Sequence, residues 1–216
     1  MERDWAGELG PWLQDRFAEL CGSIGQPVAL SGLRIHPPLG TEEAKYFLLG
    51  LEAGLFQSED NELVFHRDPP PRLFRDGICQ LSTVSSLILK RGWLPRQVLT
   101  GTSLAEYCSR DHGVNILVKS AEDKILAGVA VKRTAPELQK LVMDLRACFR
   151  RGPHSMDDCG FPQNHPKYEF CATYKPVYFW AVAPDADICL KLIETAGGIE
   201  LHELETLPPR SLMESI

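Results

Sequence analysis

The chain has 216 residues, of which 44% are hydrophobic and 24% charged, the composition of one globular domain or of a domain with a small appendage. This composition excludes collagen-like, intrinsically disordered and small disulfide-scaffold proteins. The formal net charge of −6 excludes a chain that is basic throughout, such as a nucleic-acid coat.

The charge is unevenly distributed along the chain. Residues 71–152 contain fourteen Lys and Arg against seven Asp and Glu, a net charge of +7, so the remaining residues carry −13. A basic middle segment between acidic flanks favours a surface for an anion or an acidic partner. The alternative is that these charges mix again on the folded surface.

Cysteine use and hydropathy predict a cytoplasmic protein without a membrane partner. The seven Cys are irregularly spaced, which is typical of reduced and mostly buried thiols. No stretch approaches the ~20 apolar residues of a membrane span. The acidic start MERDWAGELGPW also lacks the apolar core of an export signal. The oligomeric state stays open.

Residues 1–70 are predicted to form an acidic, mainly helical region. A first helix is indicated by apolar residues at helical spacing, namely Trp12, Leu13, Phe17 and Leu20. A second helix is predicted to begin at the N-cap Thr41, with acidic residues in its first turn. A short strand is expected at Glu62–His66.

After three prolines at 69–71 the pattern changes to helices interleaved with strands, which predicts a domain over 71–216. The expected elements are a helix at 77–91, a strand at 98–100, a hairpin of 113–120 and 125–133, a helix from the capping box Thr134–Glu137 to Gly152, a polar His/Cys loop at 153–175, a strand at 177–183, a helix at 185–195 and a strand at 199–204. The continuous apolar run at 177–183 is typical of a strand buried on both faces. This order predicts an α/β domain with three layers.

The turn of the predicted hairpin sets the register of its two strands. With the turn centred on residues 122 and 123, the numbers of paired residues sum to 245, so Ala130 faces Asn115 and Lys132 faces Gly113. Because side chains alternate along a strand, Asn115, Ala130 and Lys132 share one face of the hairpin.

This α-β-β-β-α-β order, with Lys132 after the second hairpin strand, resembles the core of the PD-(D/E)XK, or restriction-endonuclease-like, superfamily. The resemblance implies an Asp on the first hairpin strand and Glu-x-Lys on the second, where the carboxylates hold Mg²⁺ for phosphodiester hydrolysis. Lys132 stands at the lysine position, but Asn115 and Ala130 stand where the two acids would be. The resemblance therefore implies a restriction-endonuclease-like fold that is catalytically impaired.

An alternative is an active Mg²⁺-dependent nuclease whose carboxylates have moved. Asp111 lies just before the first hairpin strand, and Asp144 lies on the helix after the second. Some members of the superfamily carry the second acid on that helix, at the position of Arg146 here. Glu137 is already used in the capping box.

We expect the impaired core to bind nucleic acid or a protein partner through its basic segment. A cluster of basic residues at the end of a helix can hold phosphates. The predicted nucleic-acid contacts lie in and just before the capped helix, and they are Arg133, Lys140, Arg146, Arg150 and Arg151.

Two His and two Cys in the polar loop make up a possible zinc site. His154, Cys159, His165 and Cys171 have the spacing His-x4-Cys-x5-His-x5-Cys, and two imidazoles with two thiolates form a tetrahedral Zn²⁺ set. The short Cys-x2–4-Cys knuckle of many structural zinc sites is absent, so buried Cys and locally hydrogen-bonded His are the alternative. A further interpretation of the whole chain is a protein-interaction or immunity-type module stabilised by zinc.

Overall fold

The computed structural model describes residues 3–36, 38–56, 64–66, 70–108, 111–184 and 186–214. The chain divides into two compact units, residues 1–90 and 91–216. The division lies beyond the boundary that we predicted at 70/71, because the helix that follows the prolines belongs to the first unit.

The first unit is mainly helical. Its elements are α1 (Trp5–Ser23), α2 (Thr41–Glu52), the two-stranded ribbon of β1 (Phe65–His66) and β2 (Arg72–Leu73), and α3 (Arg75–Ser85), which continues as a π-helical turn at Ser86–Lys90. Helix α2 packs against both α1 and α3. The strand predicted at Glu62–His66 appears as β1, while residues 62 and 63 lie outside the described ranges.

A buried ion pair joins two helices of this unit. The Arg75 guanidinium on α3 binds both carboxylate oxygens of Glu43 on α2, and both side chains are buried. A buried charge requires such a partner, because removing it from water costs several kcal/mol. The N-cap of α2 is Gly40 and not Thr41 as predicted, since Thr41 already has helical conformation.

The second unit is an α/β structure around a six-stranded mixed sheet, which confirms the predicted class. The strands follow chain order across the sheet: β3 (Val98–Thr100), β4 (Ile116–Lys119), β5 (Ile125–Val131), β6 (Tyr178–Ala183), β7 (Ala186–Thr195) and β8 (Gly198–Leu204). All neighbours are antiparallel except β5 and β6, which are parallel. The helices are α4 (Gly101–Tyr107), α5 (Ala135–Arg151), α6 (His165–Tyr174) and α7 (Arg210–Met213).

The register predicted for the hairpin is confirmed in its central part. The residue numbers of the paired positions sum to 245 at Ile116↔Val129, Leu117↔Gly128 and Val118↔Ala127. An irregularity then shifts the register by one residue, to Lys119↔Ile125. The face that carries Leu117 and Ala130 is the one that packs on the helices.

Helix α5 covers this face because its apolar residues recur at helical spacing. Leu138, Leu141, Val142 and Leu145 are buried against the sheet, together with Phe170 of α6. Burying each such side chain contributes about 1.5–3 kcal/mol. Thr134 caps the helix as predicted, since its Oγ1 accepts a hydrogen bond from the Glu137 amide at 3.4 Å. The helix ends at Gly152, whose φ of 81° favours glycine.

Two predicted elements were wrong. The helix predicted at 185–195 is strand β7, because Ala186–Thr195 pairs with β6 on one side and β8 on the other, and Asp185 lies outside the described residues. The apolar residues of this segment fit the period of a helix as well as that of a strand, and only the pairing with distant strands decides between the two. The segment 153–175 is not wholly a loop, because helix α6 occupies His165–Tyr174. In the described ranges, no helix has the length and apolar character needed to cross a membrane.

Close packing between β5 and α6 generates a first prediction. A Cβ added to Gly128 would lie 2.3 Å from Cε1 of Phe170, a ring that is fully buried. We predict that Gly128→Ala lowers the free energy of unfolding by about 1–3 kcal/mol, measured by urea denaturation. In the matched control Gly197→Ala, the new Cβ meets only Thr195 Oγ1 at 3.8 Å. We expect that change to stay within about 0.5 kcal/mol. Equal effects of the two substitutions would contradict the packing described.

A buried thiol on β7 predicts a loss of stability at alkaline pH. Burial raises the pKa of Cys189 to about 12, whereas an unfolded cysteine titrates near 8.5. Between these values the unfolded chain has lost the proton that the folded chain keeps, so the free energy of unfolding falls as pH rises. We predict that the stability advantage of the wild type over Cys189→Ala shrinks above about pH 9, by up to about 1.4 kcal/mol per pH unit. Urea denaturation in the presence of a reductant measures the difference in unfolding free energy between the two chains. A difference that stays constant up to about pH 10.5 would contradict the prediction.

Candidate functional site

Four Cys and His side chains meet between helices α5 and α6. Cys148 comes from the end of α5, His165 is the first residue of α6, and His154 and Cys159 lie in the segment that joins the two helices. One potential ligand atom from each residue lies within 4.8 Å of the other three. Within the described ranges, no second group of three or more His, Cys, Asp or Glu converges in this way.

The local sequence explains why the chain turns back here. Cys148 ends the buried stripe of α5, and Gly152 in left-handed conformation terminates the helix just afterwards. The start of α6 is tied to α5 by a buried hydrogen bond of 2.8 Å from Asn164 Nδ2 to Asp144 Oδ2. Because Asn164 precedes His165, this bond also fixes the position of the histidine.

The two sulfur atoms are spaced for a shared metal ion. Cys148 Sγ and Cys159 Sγ are 3.6 Å apart, far longer than the disulfide bond of about 2.05 Å. Two thiolates at the Zn–S distance of about 2.3 Å span a tetrahedral edge of about 3.8 Å. The widest pair of ligand atoms, at up to 4.8 Å, would close by about 1 Å around an ion of this size.

Each sulfur has an identifiable electrostatic environment. Burial raises the pKa of Cys148 to about 12, and the adjacent Cys159 adds to this effect. Without a metal, Cys148 therefore stays a neutral thiol, and a metal ion displaces its proton on binding. The backbone amide of Phe161 donates to Cys159 Sγ at 3.3 Å, a contact that stabilises negative charge on the sulfur.

The two imidazoles present buried nitrogens without hydrogen-bond partners. His154 Nδ1 lies 2.7 Å from the Gly152 carbonyl oxygen, which can only accept, so Nδ1 carries a proton and Nε2 is the nitrogen that could bind a metal ion. In the described structure, three buried imidazole nitrogens make no hydrogen bond, namely His154 Nε2 and both ring nitrogens of the fully buried His165. Glu169 Oε1 stands 3.7 Å from His165 Nε2. A second bond from the imidazole to a carbonyl or carboxylate is the usual support of a metal-bound histidine.

Three of the four predicted zinc ligands converge, and Cys148 takes the place of Cys171. Cys171 is six residues beyond His165 on the same helix, about 9 Å along the axis and 240° around it, so one ion cannot be reached from both. Cys171 lies in the core instead, where burial raises its pKa. The sequence signal for Cys148 was its place at the end of the buried stripe of α5, next to the glycine that reverses the chain.

The predicted catalytic groups are bound within the fold. Asn115 Oδ1 accepts a hydrogen bond from the Val131 amide at 2.7 Å, and Asp111 Oδ1 accepts one from the Gly113 amide at 2.7 Å. Asp144 is buried and accepts from Asn164 and, at 2.9 Å, from Lys140 Nζ. The described residues therefore do not assemble a carboxylate site for Mg²⁺.

Lys132 has a neighbour that the sequence did not indicate. Lys167, in the first turn of α6, is only 6% exposed. Its Nζ lies 2.6 Å from the position that a Cβ would take on Gly113. Burial, with a smaller contribution from Lys132, lowers the pKa of Lys167 to about 8, and Asp111 opposes this shift. The sequence analysis placed Lys167 in a polar loop and therefore did not predict its burial.

Most of the predicted nucleic-acid contacts have partners inside the second unit. Arg146 Nη2 lies 2.5 Å from Glu203 Oε2, and Lys140 pairs with Asp144. The Arg151 guanidinium donates to the Asp158 carbonyl in the segment between α5 and α6. Arg150 Nε donates to the Arg146 carbonyl within the same helix at 3.3 Å. At Arg133, the backbone amide donates to Glu137 Oε2 at 3.1 Å.

Comparison of the chain with models of protein families, with curated proteins and with solved structures found no match. The assignment of a function therefore depends on the geometry of these side chains.

Proposed function

We propose that residues 91–216 form a zinc-stabilised, non-hydrolytic binding domain. The observation that carries this proposal is the cluster of Cys148, His154, Cys159 and His165, whose ligand atoms lie within 4.8 Å of one another. Four protein ligands complete the tetrahedral coordination of the ion and leave no position for water or substrate, which is characteristic of a structural site.

The chemistry of the donors favours zinc over other ions. Two thiolates and two imidazoles suit Zn²⁺, whereas Mg²⁺ and Ca²⁺ take oxygen ligands. The ion would also provide a partner for buried ring nitrogens, each of which otherwise costs about 1–3 kcal/mol. Because the ligands come from both ends of the segment between α5 and α6, zinc would fix α6 against α5 and, through α5, against the sheet.

The non-hydrolytic part of the proposal rests on the groups beside Lys132. An amide and a methyl group, Asn115 and Ala130, occupy the positions at which the restriction-endonuclease-like superfamily carries acids. The Asn115 side chain already accepts a hydrogen bond from the Val131 amide, and Ala130 is buried in the core. We infer a nuclease-like layout that has lost Mg²⁺-dependent cleavage.

Metal analysis of the purified chain tests the zinc centre. We expect one zinc per chain, lost on Cys148→Ser and on Cys159→Ser, with a lower melting temperature in both variants, because structural zinc contributes folding free energy directly. The matched control is Cys171→Ser, which changes a cysteine of the original prediction that lies outside the cluster and should keep the metal.

Two outcomes would refute the zinc centre. One is a wild-type chain that contains no zinc and gains no thermal stability when Zn²⁺ is added. The other is zinc that survives in Cys148→Ser but disappears in Cys171→Ser, which would restore the ligand set predicted from the sequence.

Nucleic acid is a second candidate for the function, as the partner of this domain. The specific observation is that Arg146 and Arg150 stand one turn apart at the basic end of α5, within the segment of net charge +7. Filter binding over a series of salt concentrations measures the affinity of the chain for nucleic acid. We expect the affinity to fall steeply with salt and Arg150→Ala to reduce the slope by about one, whereas Arg16→Ala in the first unit should leave it unchanged.

The same preparation tests hydrolysis. We expect no cleavage of single- or double-stranded DNA or RNA with Mg²⁺ or Mn²⁺. Cleavage that Lys132→Ala abolishes would overturn the non-hydrolytic proposal. Absence of binding even at low salt would instead assign the domain to a protein partner.

A further inference from the structure

Lys167 is a lysine that the fold buries almost completely. The residue is 6% exposed, and its ammonium group makes no hydrogen bond or ion pair in the part of the chain that the structure describes. Lysines are almost never buried to this extent unless they are paired, because removing the charge from water is costly. The carboxylate of Asp111 acts on this charge without forming an ion pair with it, so the charge is only partly compensated.

A second lysine follows strand β5. Lys132 comes directly after Val131, the last residue of β5, whose amide donates to Asn115 Oδ1 at 2.7 Å, so Lys132 lies beside the segment of residues 113–115. Lys167 Nζ occupies the space beside Gly113, at the start of this segment. The two lysines thus approach the same segment of backbone from the end of β5 and from α6.

Glycine is required beside the ammonium group of Lys167. Gly113 has a φ of 65°, which disfavours any residue with a Cβ, and a Cβ here would also lie 2.6 Å from Lys167 Nζ. The backbone is therefore open next to this positive charge. Asp111 is the carboxylate close enough to act on Lys167, and its Oδ1 is bound to the Gly113 amide.

We propose that Lys132 and Lys167 form a binding site for a phosphate group. Two lysines and one aspartate leave one positive charge uncompensated, which a phosphate neutralises. Its several oxygens can accept from both ammonium groups at once, and charge-assisted bonds of this kind are about twice as strong as neutral ones. The site goes beyond the proposed structural zinc centre and shares no side chain with it.

Calorimetric titration of the zinc-loaded chain with inorganic phosphate tests the site. We expect saturable binding, and Lys132→Met and Lys167→Met should each weaken it at least tenfold. The control Lys175→Met changes a lysine whose Nζ pairs with Glu194 at 2.9 Å on the surface, and it should bind phosphate as the wild type does.

Thermal unfolding gives an independent readout that also controls for misfolding. Without phosphate, Lys167→Met should melt at the same temperature as the wild type or higher, because a buried charge that is only partly compensated has been removed. With phosphate, the wild type should gain stability and the variant should not. A phosphate response in Lys167→Met equal to that of the wild type would overturn the proposal.

A second titration separates free phosphate from phosphate carried by nucleic acid. A short single-stranded oligonucleotide that binds the wild type but neither variant, where inorganic phosphate does not bind, would assign the site to a nucleic-acid backbone. An adventitious contact only, with the same weak heat in the wild type and both variants, would refute it. The zinc content of Lys167→Met, expected to equal that of the wild type, makes a failure here distinguishable from a failure of the metal centre.

Discussion

The second unit depends on how the chain satisfies the polar atoms that it buries between α5 and α6. Cys148 Sγ and Cys159 Sγ lie 3.6 Å apart beside two imidazoles, three of whose nitrogens are buried and make no hydrogen bond in the described structure. Such atoms are costly in a protein interior unless a partner is supplied. One ion bound by all four groups meets this requirement. It would also connect to α5 the same segment that the hydrogen bond from Asn164 to Asp144 holds there.

The same helices position a group of a different kind. Helix α6 carries His165 to the cysteines and, two residues later, Lys167 to the end of the hairpin beside Gly113. The thiol and imidazole donors lie around His165, whereas the positive charge of the lysine lies beside Gly113. A metal ion and an anion would therefore occupy separate sites. Zinc that fixes α6 would therefore also hold the lysine in place, which connects the stability of the unit to its capacity to bind.

Much of the second unit follows from local patterns. The N-cap Thr134, the apolar stripe of α5, the buried strand β6 and the central part of the hairpin register each depend on residues close together in sequence, and each was predicted correctly. The errors lie where local patterns are ambiguous. The apolar residues of 186–195 fit either a helix or a strand, and pairing with β6 and β8 decided for the strand. The segment 153–175 was predicted as a loop, but its second half is helix α6. This helix packs on the sheet through contacts with residues distant in sequence, such as Phe170 against Gly128.

The amino-acid sequence by itself determined the α/β class, the register of the central part of the hairpin, and three of the four clustered His and Cys. The tertiary structure decided the fourth, because a helix separates His165 from Cys171 by about 9 Å while the chain reversal at Gly152 brings Cys148 close. It also decided that Lys167 is buried beside Gly113, since burial depends on packing between elements distant in sequence. Local spacing fixes which side chains share an element, and only the fold fixes which elements meet.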